Sequence, residues 1–383
     1  MCSAPIWATR ASSSACAQDR WPIRKPPRPC ARRSPSASKG AWLSKSSRPP
    51  RALILGLAGT TLLETERRLF AEADPLGFIL FARNVDSPAQ VRALCGQLRE
   101  CVGRADAPIL IDQEGGRVQR LKPPHWRAAP PAARFGDLYR QEPEQARQAA
   151  RINARLLAEE LRPLGLDVDC APVLDVPIVG AHDVIGDRAF GADPTLVADL
   201  GRAAVEGFLE GGVMPIVKHI PGHGRARVDS HHALPVVYTA RAELERTDFA
   251  PFRALADAPW AMTAHVVYAA IDPDRPATSS PEVIDEIIRG WIGFKGLLLS
   301  DDLSMKALSG DLGERARAAL AAGCDVALHC NGDLAEMQAV IGAASRMGEA
   351  ALEKFNNARN KLNQNPVLVS AAEKAILPQA GPA

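Results

Sequence analysis

Chemistry-bearing residues crowd one stretch of this 383-residue chain, V-K-H-I-P-G-H-G-R-A-R-V-D-S-H-H-A-L-P from Val217 to Pro235. An apolar run, Met214–Val217, delivers Lys218 and His219 to its end. Pro221, Gly222 and Gly224 then break regular structure and begin a loop that carries Asp229, Ser230, His231 and His232. Residues two apart in extended backbone point to the same side, so Asp229 and His231 can meet as a carboxylate holding an imidazole. Such a pair suits proton transfer near neutral pH, because the free imidazole titrates at about 6.5 and a carboxylate fixes its tautomer.

Asp301 is the second candidate. It directly follows Leu297-Leu298-Leu299-Ser300, and a carboxylate at the rim of a buried strand is costly unless paired or used. It is therefore the candidate nucleophile, whereas Asp302 is expected to cap the next helix. A third group lies in D-Q-E-G-G-R-V-Q-R, where Gly115-Gly116 reads as a tight turn and Asp112, Arg117 and Arg120 lie near a strand rim. Carboxylates and guanidinium groups engage two oxygens at once, which fits sugar hydroxyls. Arg188 fits the same task, or else a structural ion pair with Asp187 or Asp183. The histidines invite a metal reading, but His219, His223, His231 and His232 match no compact ligand spacing and no cysteine lies nearby, so no metal is expected.

Eight short apolar runs alternate with helical segments from residue 51 onward: Ala52–Leu57, Gly77–Phe81, Pro108–Ile111, Leu166–Cys170, Met214–Val217, Trp260–Ala264, Gly296–Ser300 and Asp325–His329. Runs buried on both faces, each followed by a helix, predict a closed parallel sheet, the (β/α)8 barrel, over residues 51–383 with extra helices at the C-terminus. Helix starts are expected at Thr61-x-x-Glu64, Ser87-Pro88, Asp193-Pro194 and Ser309. The polar residues Asp112, Lys218, His219, His265, Asp301 and His329 all fall at strand C-terminal ends, the face on which such barrels place their active sites.

Residues 1–50 differ. They hold ten Lys/Arg against one acid, Asp19, so this segment carries +9 of a chain total of +2 and the other 333 residues carry −7. Rich in Ser, Pro and Arg and without period, they are expected to be a disordered extension. The acidic remainder shows no nucleic-acid footprint, and no run of 18 apolar residues predicts a membrane span. Five cysteines scattered through the rest read as reduced thiols.

K-H-I-P-G-H-G followed by D-S-H at Asp229–His231, S-D-D-L-S-M at Ser300–Met305 and D-Q-E-G-G-R-V at Asp112–Val118 together resemble glycoside hydrolase family 3. Within it, the chain resembles the single-domain bacterial β-N-acetylglucosaminidases of peptidoglycan recycling; residues 51–365 are covered. The resemblance implies that Asp301 is the nucleophile, His231 the acid/base and Asp229 its orienting partner, with Asp112, Arg120, Arg188, Lys218 and His219 binding the sugar. Ile220 departs from the phenylalanine common in the motif. Also implied are a cofactor-free cytoplasmic monomer and GlcNAc-containing muropeptide substrates, without nucleic-acid or membrane partners. A phosphorylase sharing the covalent intermediate, a silent sugar-binding barrel and a metal-dependent hydrolase are the alternatives.

Overall fold

Strands whose two faces both meet apolar surroundings have no solvent side to turn outward, and here they close on themselves. The computed structural model describes residues 48–230 and 233–379. Its barrel strands are β1 (Arg51–Leu55), β2 (Pro75–Leu80), β3 (Ile109–Ile111), β4 (Val168–Asp169), β5 (Met214–Ile220), β6 (Trp260–Thr263), β7 (Leu297–Asp302) and β8 (Val326–His329). Each runs parallel to its sequence neighbours, and β1 pairs with β8 through Leu53 opposite Ala327, which shuts the barrel. All eight expected strands are present. Two run further than expected: β5 includes Lys218 and His219, and β7 includes Asp301 and Asp302.

The helices are α1 (Glu64–Ala73), α2 (Pro88–Val102), α3 (Ala132–Tyr139), α4 (Pro143–Leu161), α5 (Pro194–Glu210), α6 (Arg241–Arg246), α7 (Ala250–Ala254), α8 (Leu312–Ala322), α9 (Leu334–Ala343), α10 (Glu349–Arg359) and α11 (Ala371–Lys374). A wider π-type turn covers Val283–Trp291. Two expected caps hold, for Ser87 accepts from the Gln90 amide and Asp193 from the Thr195 amide. Two do not. The first helix begins after Leu63, whose amide is taken by Glu66 rather than served from Thr61. The helix expected from Ser309 begins at Leu312, capped by Asp311. Asp302 caps nothing: it accepts from the amides of Ser304 and Cys330.

Two apolar layers result. Leu53, Leu55, Phe78 and Ile109 face outward onto the helices, where they meet residues such as Phe70, Leu98, Leu157 and Phe208. Ile54, Ile79, Leu110, Ile216, Met262 and Leu299 fill the barrel, and its N-terminal end is stopped by Trp260 stacked on Phe355 of α10, ring centroids 5.9 Å apart. Burial of each such side chain contributes about 1.5–3 kcal/mol before chain entropy is charged against it. The floor is thus apolar and filled, and the polar strand ends are gathered at the other end. Cys95, Cys101, Cys170, Cys324 and Cys330 are free thiols. Among the described residues no helix is long and apolar enough to cross a membrane.

Candidate active site

A cavity of about 460 Å³ opens over the C-terminal ends of the strands. Asp112, Arg120, Arg188, Lys218, His219, Asp229 and Asp301 all line it. His231 lies outside the described residues.

One wall is a chain of alternating charges. Lys218, on β5 and only 2% exposed, donates from Nζ to Asp112 at 2.8 Å and contacts Glu114 at 2.7 Å. Asp112 accepts from Arg120 on its other oxygen at 3.0 Å. Glu114 is held by Arg188 through two parallel bonds of 2.8 Å, the fork geometry a guanidinium favours. Burial by itself would drive the Asp112 and Glu114 carboxyls up, but Lys218 and the two arginines outweigh it and both stay below the ordinary carboxylate range. Burial likewise disfavours charged Lys218, and Asp112 and Glu114 more than offset it, raising the ammonium above the usual lysine range. Asp112, Glu114, Lys218 and Arg188 therefore remain ionised at neutral pH, with donors fixed in direction.

This wall is presented by a short hairpin, Gln113–Gly115 against Val118–Gln119. Buried Gln113 organises it: its Oε1 accepts from the Arg120 and Leu121 amides, and its own amide donates to Asp169. Gly115 turns the chain at φ 96°, where a Cβ would run into the Pro130 carbonyl, so the tight-turn reading of Gly115-Gly116 holds. Arg117 at the tip pairs with Asp183 and Asp187. Those are the partners considered for Arg188; Arg117 takes them, and Arg188 turns inward to Glu114.

Asp175, fully buried, sits where three donors converge. It accepts the His219 amide at 3.2 Å, the His219 Nδ1–H at 2.7 Å and the His223 amide at 2.6 Å. Burial pushes its carboxyl up, while His219 and these bonds bring it below its ordinary value. His219 is left with Nε2 as the ring nitrogen that Asp175 does not engage.

Asp301 ends β7. Its amide donates to Thr263 at 3.3 Å, and its Oδ1 accepts from the Asp302 amide at 2.8 Å. Burial raises this carboxyl, but His265 and His219 more than compensate and hold it below the ordinary range, hence ionised. His265 donates from Nε2 to the Asp302 carbonyl at 2.9 Å and so stiffens the same strand end. His329, the other strand-end histidine, reaches Glu336 at 3.0 Å instead. Among the described residues no group of three or more His, Cys, Asp or Glu side chains is placed to hold a metal ion.

Glu114, Asp175, His223 and Thr263 were not among the expected site residues. Glu114 had a signal: it stands two residues after Asp112 and shares its face. Asp175 had none, since its partner is 44 residues away.

Comparison with known proteins agrees with this geometry. The model of the glycosyl hydrolase family 3 N-terminal domain matches residues 57–364. A Beta-hexosaminidase of Alkalilimnicola ehrlichii is 45% identical over 283 residues, 73% of this chain and 80% of the relative. One from Pseudomonas aeruginosa is 40% identical over 313 residues, 81% and 91% of the two chains. The structure of NagZ from Neisseria gonorrhoeae in complex with N-trifluoroacetyl-D-glucosamine superimposes with a TM-score of 0.77 at 32% identity, covering 86% of this chain and 96% of that one. The chain belongs to glycosyl hydrolase family 3. It is a glycosidase built as a single (β/α)8 barrel.

Proposed function

We propose that this protein is a retaining exo-β-N-acetylglucosaminidase that releases terminal N-acetylglucosamine from peptidoglycan-derived muropeptides in the cytoplasm. The observation that carries this reading is the shared cavity: Asp301, from the end of β7, and Asp229, from the loop after β5, border one sugar-sized space with the Asp112–Lys218–Glu114 network. The hexosaminidase relatives, and the N-trifluoroacetyl-D-glucosamine held by the Neisseria protein, support the choice of sugar.

The chain's own groups account for two steps. Asp112, Arg120, Arg188, Lys218 and His219 hold the sugar hydroxyls through charge-assisted bonds. Asp301 attacks the anomeric carbon and forms an ester as the glycosidic bond breaks; His231 gives its proton to the departing oxygen, so the alcohol leaves neutral. His231 then takes a proton from water, whose oxygen attacks the same carbon and releases Asp301 as carboxylate. Asp229 keeps the imidazole in the tautomer both steps need. The reaction thereby retains configuration without a cofactor.

Incubation with a fluorinated N-acetylglucosamine donor, followed by peptide mass mapping, tests the assignment. An adduct on the peptide containing Asp301 is expected, and an adduct elsewhere overturns it. Assay in phosphate buffer separates hydrolysis, which yields free sugar, from phosphorolysis, which yields the sugar phosphate.

A further inference from the structure

We propose that His223 is a positioning residue for proton transfer: its imidazole fastens Ser230, the residue next to Asp229, to the rigid stem that carries His219. The proposal rests on the reading of Asp229 and His231 as the acid/base segment; the contacts that carry it involve His223 and Ser230 alone.

The stem is tightly held as far as Ala226. The His223 amide donates to Asp175, and the Tyr268 hydroxyl donates to the Gly222 carbonyl. Gly224 lies so close to the Val176 carbonyl that a Cβ would overlap it. Arg225 donates to Asp248 at 2.7 Å and to Glu243 at 2.9 Å, and the Ala226 carbonyl accepts the His182 amide at 2.8 Å. Beyond this point the chain swings outward, since Arg227 and Val228 are exposed. It returns at Ser230, which is 3% exposed and whose Oγ lies 3.1 Å from His223 Nε2. This contact spans the exposed excursion and ties its far end to its base.

The direction of the bond follows from the other ring nitrogen. His223 is 3% exposed, and its Nδ1 is buried without a hydrogen-bond partner among the described residues. Burial, with His219 adding to it, pushes the imidazole down to about 4, so at neutral pH the ring carries one N–H. An orphaned buried N–H is costlier than an idle lone pair, which places the proton on Nε2. His223 therefore donates to Ser230 Oγ, and Nδ1 keeps an unused lone pair. The Ser230 hydroxyl proton is free for an acceptor of its own. His223 touches no reacting atom in this arrangement; it acts through where Ser230 is kept.

The donor role sets the experiment. Four variants, His223→Leu, His223→Gln, Ser230→Ala and the Leu/Ala double variant, are assayed on an alkyl and on a dinitrophenyl β-N-acetylglucosaminide. Hydrogen exchange is followed in peptides covering residues 225–235. Misplacement of a proton donor by about an ångström costs roughly 100-fold, so His223→Leu should lower kcat on the alkyl glycoside about 10- to 100-fold with KM nearly unchanged. The dinitrophenyl substrate, which needs no proton, should be almost unaffected. Ser230→Ala should match it, the double variant should lose no more than either, and His223→Gln, whose amide can donate from a similar place, should recover most of the rate. Exchange should quicken in His223→Leu and Ser230→Ala and not in His223→Gln. Additive losses, or unchanged exchange in Ser230→Ala, overturn the proposal. A wild-type chain that cleaves neither substrate defeats the glycosidase reading instead, and exchange then still decides whether His223 holds the loop.

Discussion

The charged network around Lys218 and the loop from Pro221 to Ser230 border one cavity, but the first joins a strand end to a hairpin through charged pairs, whereas the second carries an exposed excursion at Arg227 and Val228. In the network every charge has an opposite charge at 2.7 to 3.0 Å, and Lys218 serves two carboxylates at once. Along the loop, Arg227 and Val228 are exposed, and Ser230 returns to the stem with a neutral hydrogen bond to His223. Recognition of a fixed sugar gains from donors that do not reorganise, because preorganised dipoles do their electrostatic work without moving. A group that must give a proton to one oxygen and later take one from another has reason to sit on a more yielding element. On the function proposed above, the two walls would divide the labour along that line.

Substitutions can break this comparison at either wall. The largest effect is expected at the proposed nucleophile: Asp301→Asn should cut kcat by on the order of 10⁴-fold or more on every substrate, with little change in thermal stability. Equal turnover by this variant would remove the covalent route. Next, Lys218→Met leaves Asp112 and Glu114 without their shared cation, and loss of one partner from a buried ion network costs about 3–5 kcal/mol. A lower melting temperature and a raised KM on good and poor leaving groups alike are expected. His231→Ala should behave in the opposite sense. It should lower kcat by about 10²–10⁴-fold on alkyl glycosides and by far less on dinitrophenyl ones, with the melting temperature unmoved. Equal losses on both would take the acid role away from His231.

The smallest prediction sharpens the comparison through pH. His223, with Asp175, His219 and Asp301 as its titratable neighbours, binds a proton only near pH 4 in the folded chain and near 6.5 when unfolded. Between these values the unfolded state holds more protons, so acidification favours unfolding; above about 6.5 the group has no effect. Melting curves of the wild type and His223→Gln should therefore run parallel above pH 6.5 and converge as pH falls toward 4, by roughly 3 kcal/mol at most. Parallel curves throughout would show that the buried imidazole does not titrate this way.

The barrel was legible because parallel strands buried on both faces write themselves as apolar runs, and the residues that end those runs are polar for a reason. The placement of Asp112, Lys218, His219 and Asp301 at the cavity could be read from that position alone. What could not be read was pairing across distance: Glu114 with Arg188 is 74 residues apart and Asp175 with His219 is 44. Charged side chains near a rim have several partners of equal promise in a sequence, and only packing chooses. The same limit explains the exchanged roles of Arg117 and Arg188. It also explains Asp302, whose expected capping role went to Asp311 once β7 ran two residues further than its apolar core.

Among the described residues, Trp260 and Phe355 close the floor of the barrel, and the cavity opens at the C-terminal ends of the strands. On the covalent route proposed above, a departing alcohol would leave by the opening through which it entered, and any other alcohol in the medium would reach the ester on Asp301 the same way. A surplus of such an acceptor would then be captured as new glycoside in competition with hydrolysis, which would give this scaffold a latent capacity for synthesis as well as degradation.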